Sequence, residues 1–337
     1  MTDAVDTATR RRLLAATSIG SALAFLDVTV VNVALPAIGR DLELGLSGQQ
    51  GAVLSYALTL SACYLAAGAV ADRIGLQRAF RAGTLAFAVA SIGVGFASSE
   101  ALLLLGRAVQ GVAAALLTTS SLALLRASWA KDAGRAIGLW TSFTSAAILV
   151  GPPLGGAVVE LASWRWIFLV NVPLAVLAIV LASDRGRPLA MSESTRAPDA
   201  WSLAVATLSI GGVTALLVER SALGGDRAAM IAVVVAVSLA VVVRRQRGGA
   251  TPLIPGELLR RRSFVAALAA TVTMYGALGA SGFFASLYLQ SPAVGYTAFE
   301  AGIVQVPTTV VLLALAPTFG RIADRRGPRG LLIAGAL

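Results

Sequence analysis

Long apolar stretches alternate with short polar connectors along the whole chain. Their approximate limits are Leu13–Ile38, Gln50–Val70, Ala79–Ala97, Ala101–Leu125, Gly134–Glu160, Trp164–Ala182, Trp201–Val218, Ala228–Val243, Phe264–Gln290 and Ala301–Phe319. Several reach the ~20 residues that a helix needs to cross a bilayer. An eleventh stretch begins near Gly330 and the sequence stops at Leu337. The pattern predicts ten complete membrane helices and the start of another. Transmembrane β-strands are shorter and alternate apolar with polar residues, so a barrel does not fit.

Composition agrees with this reading. Of 337 residues, 57% are hydrophobic and 13% charged, against roughly 25% charged in soluble domains. Mean hydropathy is +0.81. There is no histidine, and Cys63 is the only cysteine. An intrachain disulfide, a metal-ligand cluster and histidine chemistry are therefore excluded, and neither a metal nor a cofactor is expected. The first stretch has a basic start, but it is longer than the ~7–15 residue core of a signal peptide and carries Asp27, so it reads as an uncleaved span.

A net charge of +10 suggests nucleic acid at first sight. The position of the charges points elsewhere. Taking the N-terminus as cytoplasmic, twenty-two basic residues fall in cytoplasmic segments: Arg10–Arg12; Arg73, Arg78, Arg81; Arg126, Lys131, Arg135; Arg185, Arg187, Arg196; Arg244, Arg245, Arg247, Arg260–Arg262; Arg321, Arg325, Arg326 and Arg329. Only Arg40, Arg165, Arg220 and Arg227 face outside, and Arg107 lies within a span. Such a bias orients a multi-pass protein with its N-terminus inside. The expected partners are a lipid bilayer, a small-molecule substrate and protons, with no nucleic acid. A monomer in the cell (plasma) membrane is expected.

One short pattern occurs twice. Gly68-Ala-Val-Ala-Asp72-Arg73-Ile-Gly75 follows the second span, and Gly320-Arg-Ile-Ala-Asp324-Arg325-Arg-Gly327 follows the tenth. Both read G-x-x-x-D-R-x-G on the same side of the membrane. Repeated halves are a common plan of secondary transporters. A six-span half would place the second copy after the eighth span, so its position after the tenth implies two inserted helices. The expected organisation is a cytoplasmic tail (1–12), an N-terminal six-helix bundle (13–182), a cytoplasmic linker (183–200), two extra helices (201–243), a cytoplasmic loop (244–263) and the start of a C-terminal bundle (264–337). This is a 6+2+6 plan truncated in the eleventh span. On that reading the chain is C-terminally incomplete.

Five motifs in order then resemble the major facilitator superfamily, in its fourteen-span drug:proton antiporter branch. They are Leu26-Asp27-Val-Thr29-Val-Val-Asn32-Val-Ala-Leu35-Pro36; the loop motif after span two; Arg107-Ala-Val-Gln110-Gly111; Gly151-Pro152-Pro153-Leu-Gly155-Gly156; and Trp164-Arg165-Trp166-Ile-Phe168-Leu-Val-Asn171-Val-Pro173. The sequence departs from the family pattern at Gly51, where a tryptophan is common. It departs also at Leu76 and Gln77, where basic residues are usual, at Ala147, where a glycine is usual, and at Pro328.

A charge in mid-bilayer is costly and usually faces the bundle interior. Asp27 meets that condition, with Gly20 and Ala34 seven residues to either side on the same helix face. It is either a proton-coupling carboxylate or an aspartate that fixes a neighbouring helix. Arg107 needs carbonyl, carboxylate or water partners. It either biases a nearby acid, Asp27 included, or fixes helices through carbonyls. The resemblance implies gating charge networks at Gly68, Asp72, Arg73 and Gly75 and at Asp324 and Arg325, against a solvated loop with topogenic arginines. It implies a hinge and seal at Gly151, Pro152, Gly155 and Gly156, against a simple packing kink. Asn32, Tyr56, Gln110, Tyr275 and Gln305 are candidate cavity residues, with packing as the alternative. Trp164, Arg165 and Trp166 read as an interfacial anchor.

The expected function is secondary export of a small lipophilic or amphipathic compound in exchange for protons, by alternating access. Nothing in the sequence suggests an enzyme. A phosphate-binding G-x-x-x-x-G-K-[ST] loop is missing, which disfavours an ATP-driven pump. The alternatives are a proton-coupled symporter or a uniporter for a metabolite, then a membrane sensor or a truncated fragment without transport.

Overall fold

The computed structural model describes residues 7–129, 132–183 and 261–307, with short runs at 207–209 and 232–238, a few further residues between 205 and 244, and a few between 310 and 330. Among the described residues the regular elements are helices: α1 (Thr7–Asp41), α2 (Leu46–Ile74), α3 (Leu76–Gly95), α4 (Glu100–Trp129), α5 (Ala133–Leu161), α6 (Trp166–Leu169), α7 (Asn171–Leu181) and α8 (Arg262–Leu289). A further helix, α9, is described over 298–307. Of these, α1, α2, α4 and α5 are long and apolar enough to cross a membrane. The seventh expected span lies mostly outside the described residues, as do Asp324, Arg325 and the linker, whereas the described residues of the eighth, 232–238 among them, are helical.

Two differences from the sequence reading have local causes. The helices run past the apolar limits, so α1 begins at Thr7 instead of Leu13, because backbone hydrogen bonding continues into polar residues that hydropathy does not count. The sixth span, expected as one element over Trp164–Ala182, is interrupted in its hydrogen bonding between α6 and α7, although the backbone stays helical through Val170 (φ −64°, ψ −22°). Pro173 has no N–H for the carbonyl of Leu169, four residues earlier, and the regular pattern stops there. In contrast, α5 continues as one helix through Pro152 and Pro153.

The connection between α2 and α3 is a single residue. Gly75 is at once the C-cap of α2 and the N-cap of α3, with φ of 93°. Only glycine adopts that backbone readily. Nearby, the Gln77 side chain donates to the Ala182 carbonyl at 2.5 Å. The amide that replaces the usual basic residue therefore satisfies an otherwise open carbonyl at the end of α7.

Lipid tails give helices no hydrophobic reason to associate, so packing depends on small residues and polar contacts. Here α4 is central, packed against α2, α3 and α1, while α1 also lies along α5 and α7. The approaches are close. A Cβ on Gly83 of α3 would sit 2.7 Å from the Leu117 backbone nitrogen of α4. One on Gly111 of α4 would sit 3.0 Å from the Leu60 nitrogen of α2 and would collide with Thr59 and the Tyr56 carbonyl. The Gly20, Asp27 and Ala34 face of α1 is buried, with Gly20 against Phe80 and Leu117. Several hydroxyls buried in the bundle return to their own helices. Thr118 and Ser121 of α4 donate to Ala114 and Leu117 carbonyls at 2.7 and 2.6 Å, which satisfies them without water.

The expected anchor at Trp164–Trp166 divides in two. Trp166 is exposed, but Trp164 is buried in the bundle. The Trp164 indole N–H donates to Asp41 Oδ2 at 3.0 Å, and Arg165 Nη1 donates to the same oxygen at 2.6 Å. The Arg165 guanidinium lies 4.4 Å from the Trp164 ring centroid and reaches the Ala97 carbonyl. Hydrogen bonds from Arg165 and then Trp164 hold the Asp41 carboxyl below its ordinary range. A depressed pKa stabilises the folded form above the unfolded value, and that contribution disappears as pH falls through the folded value. The pair is substantially exposed, so the effect is small, on the order of 0.5 kcal/mol. Thermal unfolding in detergent is expected to show a small acid destabilisation below about pH 4, which Asp41→Asn lacks.

Candidate functional site

Asp27 and Arg107 come from helices 80 residues apart in sequence and meet inside the bundle. Asp27 is 2% exposed and Arg107 1% exposed. Arg107 Nη1 pairs with Asp27 Oδ2. The guanidinium has further partners: Nε donates to the Ala52 carbonyl of α2 at 3.0 Å, and Nη1 donates to Gln110 Oε1 at 3.0 Å. Its carbon lies 4.4 Å from the Tyr56 ring centroid and 5.8 Å from that of Phe168. The Tyr56 hydroxyl in turn donates to the Ala24 carbonyl of α1 at 3.1 Å.

The network extends through Gln110, whose Nε2 donates to Ser91 Oγ of α3 at 2.8 Å. Ser91 donates to the Phe87 carbonyl at 2.7 Å and receives the Asn171 amide of α7 at 3.5 Å. Side chains or carbonyls of α1, α2, α3, α4 and α7 are thus joined around one ion pair. Desolvating two charges is expensive, and their mutual attraction compensates only when the remaining donors and acceptors are satisfied. Arg107 meets that requirement. Asp27 does so by half, because among the described residues its Oδ1 has no hydrogen-bond partner. Neutralising the carboxylate would weaken the pair, and Gln110 and Ala52 would retain the guanidinium.

A second set of contacts joins the N-terminal bundle to the segment after residue 261. These contacts lie at the end opposite the arginine-rich connectors. Ser286 of α8 and Gln290, which caps that helix, donate to the Asn32 and Val33 carbonyls of α1 at 2.9 and 3.1 Å. The Glu160 carboxylate at the end of α5 accepts the Phe299 N–H of α9 at 2.9 Å. The glycines of the α5 motif permit this approach. A Cβ on Gly155 would sit 2.7 Å from Val30 Cγ1, and one on Gly156 would sit 2.5 Å from Phe299 Cα. A Cβ on Gly302 of α9 would lie 2.8 Å from the Pro153 nitrogen. Gly151 and Pro152 are buried in the same seam, Gly151 against Thr29.

The other expected residues are distributed as follows. Tyr56 and Gln110, read as cavity residues, are fully packed into the ion-pair network. Asn32 is half-buried, and its Oδ1 has no partner among the described residues. Gln305 is half-buried and donates to the Ala301 carbonyl of its own helix. The Tyr275 side chain lies outside the described residues. Asp72 is half-buried and Arg73 exposed at the end of α2. Gly68 has no described neighbour within 4 Å of a Cβ. Sequence reasoning gave no role to Ser91, Asn171, Ser286, Gln290 or Glu160. Asn171 stood inside a recognised motif, while isolated serines in apolar helices carry no signal of their own.

Apolar spans, small-residue seams, a buried ion pair and a second helical segment meeting the first at one end define a multi-pass helical membrane bundle. The sequence matches the Major Facilitator Superfamily over residues 17–337, and the chain belongs to that family of membrane transporters. It is 32% identical over 326 residues to multidrug resistance protein Stp of Mycobacterium tuberculosis (strain CDC 1551 / Oshkosh), covering 96% of this chain and 60% of that protein. It is 34% identical over 312 residues to methylenomycin A resistance protein of Bacillus subtilis (strain 168), covering 91% and 66%. It is 31% identical over 330 residues to tetracenomycin C resistance and export protein of Streptomyces glaucescens, covering 96% and 61%. The chain thus spans about two thirds or less of the length of these relatives. The crystal structure of peptide transporter POT in complex with sulfate shares the fold, with a TM-score of 0.67 at 15% identity, covering 95% of this chain and 69% of that one.

Proposed function

We propose that the protein is a secondary transporter of the cell membrane that exports small lipophilic or amphipathic compounds in exchange for protons. The names of the relatives support export of antibiotic-type compounds. The observation that carries proton exchange is the buried Asp27–Arg107 pair, in which one carboxylate oxygen remains without a partner among the described residues. Protonation of Asp27 loosens its hold on Arg107, and that change alters the packing of five helical elements at once. Proton uptake and helix rearrangement share one group, which is the requirement for coupling. Proton and substrate occupy the protein alternately as two helical halves rock around a midplane site.

The arginine bias supports a cytoplasmic N-terminus. The repeated loop motif supports a fourteen-span plan of six, two and six helices. The protein works as a monomer and needs no cofactor beyond the proton gradient.

Everted membrane vesicles loaded with a fluorescent lipophilic dye test this reading. Dye accumulation is expected to rise with an acid-inside gradient and to disappear with a protonophore. Accumulation indifferent to the gradient, or full coupling in Asp27→Asn, would overturn it.

A further inference from the structure

In an α-helix each carbonyl receives the N–H of the residue four positions on. Pro36 has no N–H, so the carbonyl of Asn32 has no donor within α1. The structure supplies one from outside the N-terminal bundle. Ser286 of α8, fully buried, donates its hydroxyl to that carbonyl at 2.9 Å. Gln290, one turn further along α8, donates Nε2 to the Val33 carbonyl at 3.1 Å and to Ser286 Oγ at 3.2 Å. Phe283 and Leu287, on the same helix, pack against the buried cluster that contains Val30, Val31 and Leu35. The polar contact therefore has an apolar surround that limits competition from water.

We propose that Pro36 creates the acceptor for a latch in which Ser286, steadied by Gln290, holds α8 against α1 and keeps this end of the transport pathway shut. The latch rests on the alternating-access reading above and adds to it the residues that set how readily one mouth opens. The acceptor is a main-chain carbonyl, so its position is fixed by the helix and does not depend on a rotamer of Asn32. Opening moves Ser286 away and leaves the carbonyl to water. The closed state is favoured by the difference between the two hydrogen bonds, which is large enough to bias the equilibrium and small enough to release it.

The test uses the purified chain in lipid nanodiscs with Cys63→Ser. Spin labels are placed at Ser47→Cys and Ala293→Cys, both exposed at this end, one on each side of the seam. In Ser286→Ala the population at longer inter-label distance is expected to rise about fivefold, the effect of one net hydrogen bond. Pro36→Ala restores a competing N–H and is expected to give a similar rise with Ser286 intact. It also introduces a better helix former, so it tests the acceptor even if loss of the hydroxyl impairs folding. Ser286→Thr keeps the donor and is expected to retain the original distribution. An unchanged distribution in Ser286→Ala or in Pro36→Ala, or an equal shift in Ser286→Thr, overturns the latch. Because the readout is a distance, its failure leaves the proton-exchange reading standing, and the vesicle assay decides that reading separately.

Discussion

Arg107→Leu is expected to lower the stability of the bundle by about 3–5 kcal/mol, the usual effect of removing one partner of a buried ion pair. Asp27 would lose the donor to Oδ2, and its Oδ1 already has no partner among the described residues. Gln110 Oε1 and the Ala52 carbonyl would lose a donor in the same step. Asp27→Leu alone is expected to fall in a similar range, because it strands the guanidinium. The double substitution Asp27→Leu/Arg107→Leu is expected to recover most of the loss, since two apolar side chains often replace a buried pair with little change in stability. Thermal unfolding in detergent across the four proteins gives the coupling directly. Additive losses would show that the pair is not an energetic unit.

The second large effect concerns Gly156. Its Cβ position lies 2.5 Å from Phe299 Cα and 2.6 Å from the Ala298 carbonyl carbon. These are main-chain atoms of α9, which no rotamer change can move aside. Gly156→Val is therefore expected to destabilise the closed seam by the usual overpacking penalty of about 1–3 kcal/mol. In a two-state equilibrium that is roughly a 5- to 150-fold shift towards separation of α5 from α9. The distance between labels at Ser47→Cys and Ala293→Cys measures it, and Gly156→Ala provides a graded intermediate. The N-terminal bundle itself is expected to remain folded, with the Asp27–Arg107 pair intact. A closed distribution in Gly156→Val would show that α9 yields at no cost.

The individual members of the site were legible in the sequence, because a charge within an apolar stretch has few explanations. Asp27 and Arg107 stand out on that ground alone. Their pairing was not legible from spacing, since 80 residues and two intervening helices separate them, and only the packing of α1 against α4 brings them together. The reading of Gln110 shows a different limit. A polar residue beside a buried arginine can line a cavity or steady the arginine, and the choice depends on where Ser91 of α3 stands. The glycines of α5 announced a close approach, but a glycine does not identify the backbone that fills its space. Pro36 was visible as part of a motif. Its consequence depends on Ser286, more than two hundred residues away, whose hydroxyl has no distinguishing context in the sequence.

The single-glycine junction at Gly75 also bears on how movement spreads through the bundle. A connector of several residues has slack, and one helix can tilt while the next remains still. Between α2 and α3 there is none, since the same residue ends one helix and begins the other. The two helices share one pivot, and any rotation between them is confined to the φ and ψ of Gly75. A translation of the Asp72–Arg73 end of α2 is passed through that one residue to the start of α3, and with it to the Gln77 amide and the end of α7 to which that amide is tied.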